Sequence, residues 1–195
     1  RWKIVESKYN RAYNAAKTAM NSCNTERDFE TFEGNMHAAK GHVRDYGNAA
    51  GGRFKGNATY NSKMKEVEGL QKNGYKACLP AIRKVAAANA GKSFPDRYKG
   101  SDAGAIKSRI KKREGSKCIK VHIRDTRWET YREEQWINGK KHFVNQKRIG
   151  TTTFNSFEHD SSIARVWNSI EIHDTDTGKY MTNGGISTFM FKKDI

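Results

Sequence analysis

Leucine is nearly absent from this chain: of 195 residues only Leu70 and Leu79 are leucine. Leu, Ile, Val and Phe together number 31, while the formal net charge is +16. A chain this poor in aliphatic residues and this charged falls, on composition alone, among chains that do not bury enough apolar surface to fold. A large aliphatic core is therefore excluded, and any folded core must draw on aromatic residues, a disulfide, or a partner that neutralises charge. No run approaches the roughly 18 consecutive apolar residues of a membrane span. Phosphate-binding glycine loops, a serine nucleophile elbow and a dinucleotide fingerprint are all missing. The three cysteines, Cys23, Cys78 and Cys118, lack the close spacing of a zinc site. There is no internal repeat.

What remains is basic and ring-rich. Aromatic residues make up 11% of the chain, and each large ring buries on the order of 150–250 Å². Basic residues outnumber acidic ones 37 to 21, giving a pI near 9.8. Such a balance points to a polyanionic partner: RNA or DNA first, anionic glycan or lipid as alternatives. The excess is uneven. It is +9 over residues 1–92, +4 over 93–116 and +3 over 117–195.

The first ninety residues carry helical periodicity. Trp2, Val5, Tyr9, Tyr13, Ala16 and Met20 recur at three- and four-residue steps. Thr25, with Asp28 three residues on, has the pattern of an N-cap. Phe29, Phe32, Met36, Ala39, Val43 and Tyr46 then follow as a narrow seam. A glycine-rich stretch from Gly47 to Gly56 stops that helix. A third, weaker helix carries Tyr60, Met64 and Val67, and Pro80 is expected to interrupt or restart it. In an up-down-up bundle the ends of the first and third helices meet. This predicts a Cys23–Cys78 disulfide, with Cys118 free, contributing about 3–4 kcal/mol by closing a long loop. The pairing and the sequon Asn57-Ala58-Thr59 point to a secreted, cell-surface or periplasmic setting. The initial Arg1 suggests a processed N-terminus, and Arg1-Trp2-Lys3 is read as an ordinary helix start rather than the flank of a removed membrane segment.

Residues 93–116 read as a linker with a basic helix. Lys107, Arg109, Lys111, Lys112 and Arg113 surround Ile106 and Ile110, which lie four apart on one face. The five cations are candidate phosphate contacts, and the two isoleucines are expected to hold the helix in place without them.

Residues 117–195 read as antiparallel sheet. Ile119, Val121 and Ile123 alternate with Lys120, His122 and Arg124. Asn138-Gly139, between Trp136-Ile137 and the run from Lys140 to Val144, is a strong hairpin signal. The strand from Ile163 to His173 turns at Asp174–Gly178, and Asn183-Gly184-Gly185 is expected to turn again. The Asp-rich turn resembles a fragment of a calcium loop, but its letters suit a tight turn equally well. The reading is an α+β fold: a small helical bundle (1–92), a basic linker helix (93–116) and an antiparallel meander of about five strands (117–195), as separate domains or one continuous one, with an apolar sheet face covered by helices.

Alternation places His122, Lys120 and Arg124 on a polar face, with His142 and Arg148 sharing parity in the hairpin and His173 on the later strand. Two histidines and a cation beside one phosphate are sufficient for metal-free RNA cleavage. A helical segment followed by such a sheet resembles the arrangement of small ribonuclease toxins, without a shared motif. Trp128, Tyr131, Trp136 and Trp167, set among Arg127, Arg132 and Arg165, are able to stack bases, but a leucine-poor chain is expected to place these rings in its core. The function expected is non-catalytic polyanion binding, most plainly of nucleic acid, through the linker cations and Arg148. The alternatives are a ribonuclease acting at His122, His142 and His173, and a self-associating structural subunit of a surface or virion assembly. No metal or cofactor is expected.

Overall fold

A computed structural model describes residues 2–195, apart from the side chain of Ile137; Arg1, and with it the start of Arg1-Trp2-Lys3, lies outside the described residues. The chain forms two compact units, Arg1–Val85 and Ala86–Ile195.

The first unit is helical: α1 (Trp2–Asn21), α2 (Glu26–Gly52) and most of α3 (Ala58–Ala88). Thr25 and Asp28 form a reciprocal capping box at the start of α2. The Thr25 hydroxyl accepts from the Asp28 amide at 3.2 Å, and the Asp28 carboxylate accepts from the Thr25 amide at 2.9 Å. Every residue of the α2 seam, from Phe29 to Tyr46, is buried. Rings supply the volume that leucine does not. Phe29, Phe32 and Tyr75 pack with centroids 5.8–6.5 Å apart, and Tyr75 donates to the buried Glu33 carboxylate at 2.7 Å. Gly74 lets α3 approach Phe32 so closely that a Cβ there would lie 2.0 Å from its ring. Cys23 and Cys78 are joined by a disulfide, with their Cα atoms 5.1 Å apart.

Pro80 does not stop the third helix, which runs through it to Ala88. A proline inside a helix loses one hydrogen bond and costs about 3 kcal/mol. The buried side chains of Ala81 and Ile82 on the next turn favour continuation.

The second unit contains α4 (Ala103–Glu114) and five strands: β1 (Cys118–Ile123), β2 (Glu129–Ile137), β3 (Lys140–Ser156), β4 (Ile163–Asp174) and β5 (Tyr180–Phe191). All pairings are antiparallel. The 17-residue β3 organises the sheet. Its early half pairs with β2 and its late half with β1, so β1 and β2 follow one another along the same edge of β3. Its other edge carries β4, and β4 carries β5. The plain meander read from sequence is thus modified at its first two strands.

The unit's core lies on both faces of the sheet. Ile106 and Ile110 of α4 pack against Val121, Ile123 and Ile149. On the opposite face Phe154, Val166 and Met190 pack with Phe94 and Ile195. Asn183-Gly184-Gly185 is not a turn. β5 continues through it, and the pairing shifts between Asn168↔Ile186 and Ile170↔Asn183. A bulge there needs glycine, because a Cβ on Gly185 would lie 1.9 Å from the Asn168 carbonyl oxygen.

Candidate nucleic-acid interface

The linker before α4 is pinned rather than loose. The Arg97 amide donates to the Ile123 carbonyl at 2.8 Å, and the Asp96 carboxylate accepts from the Ile123 amide at 3.0 Å while pairing with Lys107. Burial by itself would push the Asp96 carboxyl up; the Ile123 amide and the Lys107 ammonium outweigh it and hold the group below its ordinary range.

The five linker cations do not form one free row. Lys107 is paired with Asp96. Arg109 lies 3.5 Å over the Tyr180 ring, which in turn stacks on His173 at 4.2 Å. Arg113 donates to the buried Glu171 carboxylate at 2.8 Å and to the Thr182 hydroxyl. Burial disfavours the Arg113 charge, but Glu171 and Glu114 raise its pKa above the ordinary value. Of the five, only Lys111 and Lys112 stand exposed with no ion pair among the described residues. Ile106 and Ile110 therefore do not hold α4 unaided; Lys107, Arg109 and Arg113 are part of its attachment.

The histidines are not brought together. His122 faces Thr152 and His173 faces Lys147 across β3. These positions are five residues apart, so the two side chains lie on opposite faces and roughly 17 Å apart along the strand. His142 lies five residues beyond Lys147, opposite Gln135. No two of the three reach one phosphate. The single polar face expected from alternation splits because the β1–β3 register sets Lys120 and His122 on the side of Phe154, not on the side of Trp167 and Glu171. His122 acts there as a packing group. Its Nδ1 contacts the Phe94 carbonyl, and its ring meets Phe154 edge-on at 5.1 Å. Lys120 donates to the Ile195 carbonyl at 3.0 Å.

Asp174 and Asp176 serve a turn. The Asp174 carboxylate accepts the amides of Asp176 and Thr177 at 2.9 and 3.0 Å, and Asp176 accepts the Asn145 amide at 2.9 Å. Among the described residues no group of acidic, histidine or cysteine side chains is arranged to hold a metal ion, and no helix is long and apolar enough to cross a membrane. Burial pushes the free Cys118 thiol up.

The β2–β3 hairpin expected from Asn138-Gly139 is present, but its rings lie outside the core. β4 pairs with β3 only from Gln146 onward, so the part of the β2–β3 ribbon from Arg132 to Asn145 extends past the end of β4. Asn138 and Gly139 both adopt positive φ at its tip (51° and 74°), as a tight two-residue hairpin turn requires. Trp136 is 69% exposed, Tyr131 50% and Phe143 46%. The core reading fails for Trp136, whose strand segment lies past the end of β4, and for Tyr131, which is half exposed beside the last residues of β3 that pair with β4. The pairings Trp136↔Lys141, Glu134↔Phe143, Arg132↔Asn145 and Thr130↔Lys147 set two rings and three cations on one face. Arg132 lies 4.1 Å over the Phe143 ring, and Lys141 pairs with Glu134 at 2.6 Å. On the other face Arg148 lies 4.0 Å over Tyr131 and donates to Glu133 and Gln146. Of these residues, only Arg148 belongs to the contact set expected from sequence.

Three of the clefts in this unit bear on the site. One, of about 300 Å³, lies beside the end of α4 and is lined by Trp167, Ser169, Thr182, Arg113 and Lys117 among others. The other two adjoin one another around the segment that joins β1 to β2, where Arg97, Arg124 and Asp125 line both. No protein-family model, curated protein or solved structure matches the chain.

Proposed function

We propose that this protein binds nucleic acid without cleaving it, and that the β2–β3 ribbon is its contact surface. The observation that carries the reading is the ribbon face with Trp136 and Phe143 exposed beside Arg132, Lys141 and Lys147. Exposed rings are costly in water unless they meet a partner, and a base stacked on an aromatic side chain contributes about 1–3 kcal/mol whatever its identity. The adjoining cations gain by displacing counterions from phosphates, which makes binding fall with salt. Rings that stack and cations that contact the backbone suit a single strand, whose bases are free, with little sequence preference. The net charge of +16 supports fast, steered association with such a partner. The Cys23–Cys78 disulfide supports an oxidising setting, and we infer that the protein is secreted or held at a cell surface or in a periplasm.

The test is fluorescence anisotropy with a labelled single-stranded oligonucleotide over a range of salt concentrations. Trp136→Ala and Phe143→Ala should each weaken binding about tenfold, the scale of one lost base stack. Exchanging Arg132, Lys141 and Lys147 for Gln should flatten the dependence of log Kd on log salt. The RNA should be recovered intact after prolonged incubation. Unchanged affinity in both ring variants would remove the ribbon from the interface. Loss of binding to anionic phospholipid vesicles, with oligonucleotide binding intact, would assign the ribbon to a membrane surface instead.

A further inference from the structure

The arginines of the sheet-bearing unit sort into two groups. Arg109, Arg132, Arg148 and Arg165 each lie over a ring of this chain, at 3.5–4.6 Å, and Arg113 is paired with Glu171. Arg97, Arg124 and Arg127 have no ring and no carboxylate partner among the described residues, yet Arg97 and Arg124 line both of two adjoining clefts, of about 290 and 360 Å³, and Arg127 lines the larger. Gathering three guanidiniums at one place is unfavourable unless an anion joins them. We propose that these clefts bind a phosphate group of a ligand, held by Arg97, Arg124 and Arg127.

The backbone fixes the positions of two of the three. The Arg97 amide donates to the Ile123 carbonyl at 2.8 Å, and the Arg124 amide donates to the Gly150 carbonyl at 2.9 Å. The Arg124 Nη2 donates to the Ser169 carbonyl at 3.3 Å, while its Nε is buried with no hydrogen-bond partner among the described residues. The bond from Nη2 fixes the plane of the Arg124 guanidinium at the cleft wall, and planar guanidinium donors match phosphate oxygens. Two acids share the clefts. The Asp125 carboxylate is engaged by the Gly150 amide, which fixes the loop after β1, and Gly150 leaves room for both side chains, since a Cβ there would lie 2.9 Å from the Arg124 guanidinium and the Asp125 carboxylate. Glu129 is exposed at the base of the ribbon. Three cations against two acids leave the site net positive, with one acid turned to the backbone. The cleft on the Asn168 side adds Phe94 and Pro95 as an apolar wall, with the Asn168 and Ser93 side chains able to hydrogen-bond. That combination suits the organic part of a phosphate ester, a nucleoside above all. The site uses no residue of the Trp136–Phe143 face, so it stands or falls separately from the ribbon.

The experiment is titration of the full chain with inorganic phosphate, adenosine 5′-monophosphate and adenosine, followed by calorimetry and by amide shifts of Arg97, Arg124 and Gly150. Both phosphate compounds should bind saturably and shift those amides, and adenosine should not. The exposed pair R97Q and R127Q, combined in one variant, should weaken phosphate binding about tenfold or more, the scale of losing charge-assisted contacts, with the folded spectrum retained. R124Q should do the same, and if it does not fold the double variant decides alone. Lys111→Ala with Lys112→Ala removes equal charge elsewhere and should leave the affinity unchanged. Tighter binding of the nucleotide than of inorganic phosphate would identify a nucleotide or a nucleic-acid end as the source; equal affinity would identify the free anion. Absence of saturable binding by either compound, or equal weakening by the Lys111–Lys112 variant and the R97Q/R127Q variant, would overturn the proposal. Loss of oligonucleotide binding in the ribbon variants with phosphate binding retained, or the reverse, shows which of the two sites fails.

Discussion

The helical unit and the sheet unit solve the shortage of leucine in different ways. The helical unit turns its rings inward. Phe29, Phe32, Tyr75 and Tyr9 are buried, and a disulfide closes the chain from Cys23 to Cys78. The sheet unit uses isoleucine and valine at the centre of its strands, ties the linker down through Asp96 and α4 through Arg113, and leaves several rings outside. The sheet unit buries Phe154 and Phe189 as well, so the same residue type serves as core and as surface within it. What decides is whether the segment lies within reach of a second layer. The α2 seam has α1 and α3 to pack on, whereas Trp136 and Phe143 lie on a two-stranded ribbon past the end of β4.

This contrast is open to direct attack, beginning with the disulfide. In the chain-entropy treatment a bridge across 55 residues contributes about 4 kcal/mol. Reduction should therefore lower the stability of the helical unit by about that amount. Hydrogen exchange should show protection lost in α1 and α2 while β3 and β4 keep theirs. Equal loss in both units would mean that they unfold as one cooperative body.

A second test strikes the sheet unit. Arg113→Ala leaves the Glu171 carboxylate, 1% exposed, without its cation. Stranding a buried charge costs several kcal/mol, reduced here because Arg113 is itself partly exposed, so a loss of about 2–3 kcal/mol is expected. Lys111→Ala with Lys112→Ala should cost less than about 0.5 kcal/mol. Urea unfolding followed by the fluorescence of Trp128 and Trp167 reads both. Equal effects would reduce α4 to an apolar anchor with a solvated charged face.

The smallest effect concerns acid. The Asp96 carboxyl is lowered below its reference value of 3.8 in the folded state. A lowered folded value means that its contribution is present above the unfolded pKa and is lost as pH falls through the folded one. The sheet unit should therefore weaken below about pH 4, and Asp96→Asn should flatten that limb of the stability curve while lowering the plateau at neutral pH. An unchanged acid limb would mean that other carboxylates govern it.

The helical half was legible because its signals are local. The three- and four-residue spacing from Phe29 to Tyr46 marks a buried stripe whatever it packs on, and Thr25 with Asp28 marks a helix start through bonds made within four residues. The hairpin turn at Asn138-Gly139 was legible for the same reason: both residues must take positive φ, and few others do so at low cost. Pro80 misled because its local penalty was outweighed by burial on the next turn, and Asn183-Gly184-Gly185 misled because glycine marks a bulge as well as it marks a turn.

Composition and spacing were enough, by themselves, to determine the α+β order, the cysteine pairing and the basic character of the chain, because each rests on residue type and short-range geometry. Faces and partners were decided only by the tertiary structure. A shift of one residue in strand register exchanges the two faces of a sheet, so the pairing of β1 with β3 separated His122 from His173 although alternation allowed them to share a face. In the same way, only the folded chain shows that Arg113 meets a buried carboxylate while Arg97, Arg124 and Arg127 pair with none among the described residues, since a cation's partner is set by contacts between residues far apart in sequence.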